Sequence, residues 1–113
     1  MESTRVRMHM NAPPAAVYTA LTEADAIARW RTDTYRGRFV ELHPHHRIVE
    51  VIELETADPA LQGESTITYE LIPVGGGTDV IVTHDHLPPG LSRADNERGW
   101  RSSLTKLEAL VEP

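Results

Sequence analysis

Residues 84–113 read HDHLPPGLSRADNERGWRSSLTKLEALVEP, and this stretch decides the fold. A polar strand end runs into Pro88-Pro89-Gly90, where proline removes a ladder donor and glycine permits a sharp bend. Ser92, with Asp95 three residues later, is a cap pattern whose side chains satisfy free amides at a helix start. Beyond it Trp100, Leu104, Leu107 and Val111 recur at helical spacing, and Leu110 widens the apolar stripe. Gly99 inside this pattern lowers helix propensity and predicts the close approach of another backbone. The reading is a long amphipathic C-terminal helix laid over an antiparallel sheet.

The chain before this stretch supplies that sheet. Val6, Met8 and Met10 alternate with Arg5, Arg7 and His9, the pattern of a half-buried strand. Asn11-Ala12-Pro13-Pro14 ends the strand and opens a short helix, with proline suited to its first position. Val17, Ala20 and Leu21 form that helix's inward stripe, and Thr22 with Asp25 predicts a second capped turn through Ile27 to Trp30. Strands are then expected at Tyr35–Leu42, Arg47–Glu55, Glu64–Ile72 and Thr78–His86, separated by HPHH, ADPALQG and VGGG turns. RIVEVIELE breaks strict alternation, which predicts a bulge or a strand covered on both faces. The order is β-α-α-β-β-β-β-α, an α+β fold with a five-stranded antiparallel sheet gripping a long C-terminal helix, read as one domain over residues 1–113.

Composition narrows the function. With 113 residues the chain is long enough for a real core without staples. Hydrophobic residues make up 40% and the mean hydropathy is -0.35, values of an ordinary soluble protein. Zero cysteines exclude disulfides, thiolate metal sites and cysteine nucleophiles, and fit a reducing compartment. MESTRVRMHM has no apolar core of a signal peptide, and no window approaches a membrane span, so a cytoplasmic location and no membrane partner are expected. A net charge of -6 argues against a nucleic-acid partner. Arg5, Arg7, Arg29, Arg31, Arg36 and Arg38 bias the first third towards positive charge, which a solvated sheet face explains.

Four stretches carry a resemblance: APPAAVYTALTEADAIARW, RGRFVELHPHHRIVEVIELE, GESTITYELIPVGGGTDVIVTH and LPPGLSRADNERGWRSSLTKLEALVE. Together they resemble the START/SRPBCC superfamily with its helix-grip fold, in the branch named for activators of the heat-shock-protein ninety ATPase. The P-G-x-S-x-x-D-N-x-x-G-W-x-x-S-L-x-K-L string is the most specific part. The resemblance implies a cavity between sheet and C-terminal helix for a small hydrophobic or amphipathic molecule. It also allows a protein-interaction module or, in other branches, a cyclase, dehydratase or hydrolase. Members usually carry one more strand pair between the helices and the strand beginning at Tyr35, whereas here Trp30 reaches Tyr35 through four residues. The second and third strands are thus expected to be missing, leaving Tyr35–Leu42 as an open edge through which two chains pair as a homodimer. The alternative is that Trp30–Thr34 or the helix covers this edge.

Within that frame the ligand-binding candidates are Trp30, Tyr69, His84 and Trp100. Tyr and Trp combine apolar area with one donor, as a small-ligand pocket requires, and His84 adds a polar handle; Trp100 also suits plain core packing. His84 and His86, two apart, are expected to share a sheet face, a placement that suits a metal ion, while His43, His45 and His46 read as a solvated turn. No metal or cofactor is assigned. Ser65, Ser102 and Ser103 lie in no strained elbow, so nucleophilic catalysis has no sequence support. Among the strand carboxylates only Glu53, beside apolar neighbours, is a candidate for burial and proton transfer.

Overall fold

The computed structural model describes residues 3–30 and 35–113. Five strands, β1 (Ser3–Met10), β2 (Tyr35–His43), β3 (Arg47–Leu54), β4 (Glu64–Val74) and β5 (Gly77–Asp85), form one antiparallel sheet. Its order is β1-β5-β4-β3-β2, a meander closed by the first strand against the last. The helices are α1 (Pro14–Thr22), α2 (Ala24–Trp30) and α3 (Arg93–Val111). All eight expected elements are present in the expected order.

Local chemistry explains the joints. Val74 pairs with Gly77 across a two-residue turn, and Gly75 and Gly76 both have positive φ, at 55° and 81°. That backbone is the hairpin turn whose twist matches the strands, and glycine adopts it without strain. The Ser92 hydroxyl accepts the Asp95 amide at 3.1 Å and opens α3 as the cap pattern predicts. The β3–β4 connection carries a short 3₁₀ turn at Pro59–Leu61 and docks on the proline break: the Gly90 amide donates to the Ala60 carbonyl at 2.7 Å. A Cβ on Gly90 would lie 2.8 Å from that of Ala60, so this is where close backbone approach demands glycine.

Several expectations need correction. Nothing comes within 4 Å of a Cβ built on Gly99, which therefore marks no close contact. The Thr22 hydroxyl donates back to the Tyr18 carbonyl at 2.8 Å instead of capping α2. The β5 strand stops at Asp85, and His86 turns into the left-handed region at φ 63°, so His84 and His86 do not share a sheet face. Glu53 lies half-buried on the outer face, 3.3 Å from Arg36; the buried carboxylate of β3 is Glu50, three residues earlier. The irregularity read in β3 has two parts. Its partner β2 is bulged between Phe39 and Glu41, and β3 itself is buried on both faces, by Ile48 and Ile52 inside and Val49 outside.

One core lies between the inner face of the sheet and the helices. Val6, Met10, Ile48, Ile67, Tyr69, Val80 and Val82 meet Val17, Leu21, Trp30, Leu104 and Leu107, all at most 1% exposed. The helical layer is offset: α3 packs along β1, and α1 lies over β4 and β5. The inner face of β2 is the most open part, with Phe39 half-buried and Leu42 exposed. The segment 31–34, read as a possible cover for this edge, lies outside the described residues.

Candidate functional site

The tight turn at Gly75-Gly76 fixes the β4–β5 register, and that register places Ile67 opposite His84. Ser65, two residues from Ile67 on the same face, becomes the diagonal neighbour of His84. Its hydroxyl lies 2.8 Å from His84 Nε2. From above, the Ser92 cap sets the phase of α3 so that Asn96 and Trp100, one turn apart, share the helix face over the sheet. The Trp100 indole donates to His84 Nδ1 at 3.0 Å, and the Asn96 amide nitrogen is 3.3 Å from the same atom. Trp100 meets His84 and Tyr69 edge-on, with ring centroids 5.9 and 5.8 Å away.

The hydrogen bonds settle the state of the imidazole. An indole N–H can only donate, so Nδ1 presents a lone pair and the ring proton sits on Nε2, directed at Ser65. A serine nucleophile needs the reverse, an Nε2 free to take its proton while Nδ1–H is held by an acceptor. The Ser65–His84 pair is therefore a hydrogen-bonded polar contact and not a hydrolytic dyad.

Three of the four expected site residues, Tyr69, His84 and Trp100, thus converge. Trp30 is fully buried at the end of α2, and its indole donates to the Ala20 carbonyl at 2.8 Å, fastening α2 to α1. The sequence reading missed Asn96, Thr4 and Glu50. Thr4 lies directly opposite His84 on β1, and Glu50 opposite Ile67 on β3, so one transverse row of the inner face runs Glu50, Ile67, His84, Thr4. Glu50, His84 and Thr4 are buried between the sheet and the helices, at 4%, 5% and 5% exposure. Their common register across three strand pairs was the available signal, and it needs the pairing to be seen.

Elsewhere, an open hollow of about 440 Å³ is lined by Arg36, Glu53, Leu54, Glu55, Thr56 and Gln62 on the outer end of β2 and β3. Its walls are mostly charged or polar, unlike the apolar lining that holds small molecules. Among the described residues no cluster of three or more histidine or acidic side chains is placed to hold a metal ion. No described helix is long and apolar enough to cross a membrane.

The model of the family "Activator of Hsp90 ATPase homolog 1-like protein" matches residues 32–112. The chain belongs to this family. An AHSA1-like protein from Rhizobium etli is 30% identical in a solution structure with a TM-score of 0.72, covering 97% of this chain and 82% of that one. A Chromobacterium violaceum protein, 25% identical, superimposes with a TM-score of 0.88 over 98% of this chain and 97% of the other. The Aha1 dimer of Colwellia psychrerythraea, 20% identical, shares the fold with a TM-score of 0.78 over 99% and 97% of the two chains. No curated protein matches the sequence. In the AHSA1-like frame the sheet and α3 are the two halves of the helix-grip fold, and the His84 cluster lies between them under the first half of the gripping helix.

Proposed function

We propose that this AHSA1-like domain binds a small amphipathic molecule between the inner face of its sheet and α3, without covalent chemistry. The observation that carries the reading is the buried transverse row Glu50–Ile67–His84–Thr4 with Ser65, Asn96 and Trp100 gathered on it. Burying polar groups costs stability unless they are satisfied, and an interface serving the fold alone is better built from apolar residues. A few convergent polar groups among aromatic and aliphatic walls are the composition of a small-ligand site. Tyr69 and Trp100 supply the walls, His84 the polar handle, and the thinly covered inner face of β2, with Phe39 and Leu42, the way in. Trp30 supports the site from the α1–α2 corner.

The reading includes a second copy of the chain. Among the described residues the β2 strand has a partner strand on one side only, and it exposes Val40 at 49% and Leu42 at 48%. An unpaired edge with apolar side chains favours strand addition, and the Colwellia relative is described as a dimer. The bulge after Phe39 leaves Tyr35–Phe39 as the regular half for pairing and Val40 and Leu42 as the apolar contact.

Native mass spectrometry of the purified protein, followed by titration with a fluorescent apolar dye, tests the ligand reading. A releasable small-molecule mass, or saturable dye binding that changes Trp100 emission, is expected. A bare protein that binds no dye overturns it.

A further inference from the structure

We infer that the polar end of the groove accepts a neutral hydrogen-bond donor, an alcohol or a primary amide, and rejects a carboxylate. This rests on the ligand-binding reading above and specifies its head group. Among the described residues two buried side-chain atoms have no hydrogen-bond partner, Thr4 Oγ1 and Asn96 Oδ1. Both flank His84: Thr4 faces it across the β1–β5 ladder, and Asn96 holds its Nδ1 through the amide nitrogen. Buried polar atoms are almost always satisfied, so two orphans beside one ring mark a place for a polar occupant.

The remaining valences define that occupant. His84 is committed, with Nδ1 accepting from Trp100 and Asn96 and Nε2–H directed at Ser65. Asn96 Oδ1 can only accept, so the occupant must donate. The Thr4 hydroxyl takes either role. Ser65 lies at the opposite ring nitrogen, on β4 where Thr4 is on β1, so the same group does not reach it; the acceptor the occupant must offer is the one for the Thr4 hydroxyl proton. A hydroxyl or a primary amide donates and accepts at once. An ammonium group has no lone pair for the Thr4 hydroxyl proton and would carry its charge into a buried site. A carboxylate has no proton for Asn96, and it would enter the row that already holds Glu50, about 10 Å away by the spacing of strands.

The test titrates the full chain at pH 7 with four eight-carbon probes, 1-octanol, octanamide, octanoate and octylammonium, by calorimetry and by NMR. Octanol and octanamide are expected to bind about tenfold or more tighter than either ion, because a site built to pair a donor discriminates strongly. The largest shifts should fall on the Trp100 indole N–H and the Asn96 side-chain amide. Thr4→Val, which replaces the hydroxyl by a methyl group of equal size, should weaken octanol several-fold, and Thr4→Ser should restore it. This ratio is not moved by differences in head-group hydration. Octanoate or octylammonium binding as tightly as octanol, or an unchanged octanol affinity in Thr4→Val, overturns the head-group assignment and leaves the ligand reading standing. Failure of all four probes overturns the ligand reading and this inference with it.

Discussion

The two outer strands of the sheet, β1 and β2, face the same difficulty in different ways. Among the described residues each presents one row of backbone groups without a neighbouring strand. The β1 strand keeps clean alternation, with Val6 and Met10 buried beneath α3 and Arg5, Arg7 and His9 exposed outside. Its outer face is tied to β5 by Asp79, which receives Arg7 Nε at 3.0 Å and lies 2.6 Å from His9 Nδ1. The β2 strand is bulged, exposes Val40 and Leu42, and holds its neighbours through the solvated pairs Arg36–Glu53 and Arg38–Glu64. An outer strand is made safe by what lies over it, and only β1 has a long helix packed along it.

The largest effect should come from charging the open edge. Val40→Lys combined with Leu42→Lys is expected to convert a dimer to a monomer by light scattering, with little change in the melting temperature of the domain. A wild-type protein already monomeric at micromolar concentration removes the premise. Next in size is the covered side. Leu104→Ala, on the buried side of α3, should cost about 3 kcal/mol in urea unfolding. Phe39→Ala on the open strand should cost about 1 kcal/mol, because less of its area leaves water on folding. Equal losses would mean that β2 is as well covered as β1.

A smaller effect separates the edges by pH. The Arg7 guanidinium, and then His9, hold the Asp79 carboxyl below the usual carboxylate range. A carboxyl depressed in the folded state adds stability above its ordinary value, and that gain is lost as pH falls through the folded one. The stability difference between wild type and Asp79→Asn should therefore be full at pH 7 and shrink in acid, below about pH 4. A difference that stays constant from pH 7 to pH 2.5 would contradict this coupling. Arg38→Ala, which removes a pair exposed on both sides, should change stability by less than about 0.5 kcal/mol at any pH.

What could be read in the sequence follows from the range of the signals. Caps, prolines and alternation act over a few residues, so Ser92–Asp95, the Pro13-Pro14 start and the Val6/Met8/Met10 face were all legible. Gly99 misled because glycine's helix cost is local while its cause is not visible locally. Of the site, Tyr69, His84 and Trp100 were legible as amphipathic residues on the right elements. Thr4, Glu50 and Asn96 were not, since a threonine and a glutamate in a strand look solvated until register puts both in one buried row. The exchange of Glu53 for Glu50 is the same lesson: an odd step along a strand reverses the face, and alternation in RIVEVIELE is too weak to fix the phase.

The pairing of β1 with β5 carries a consequence for how the protein is made. Ser3 meets Asp85 and Met10 meets Thr78, whereas β2, β3 and β4 each pair with the next strand along the chain. During synthesis the meander can zip hairpin by hairpin as it leaves the ribosome, while the first strand waits for a partner encoded some seventy residues downstream. Its alternation puts Arg5, Arg7 and His9 on the outer face of that waiting strand, and α3, which follows β5 in the chain, packs along it.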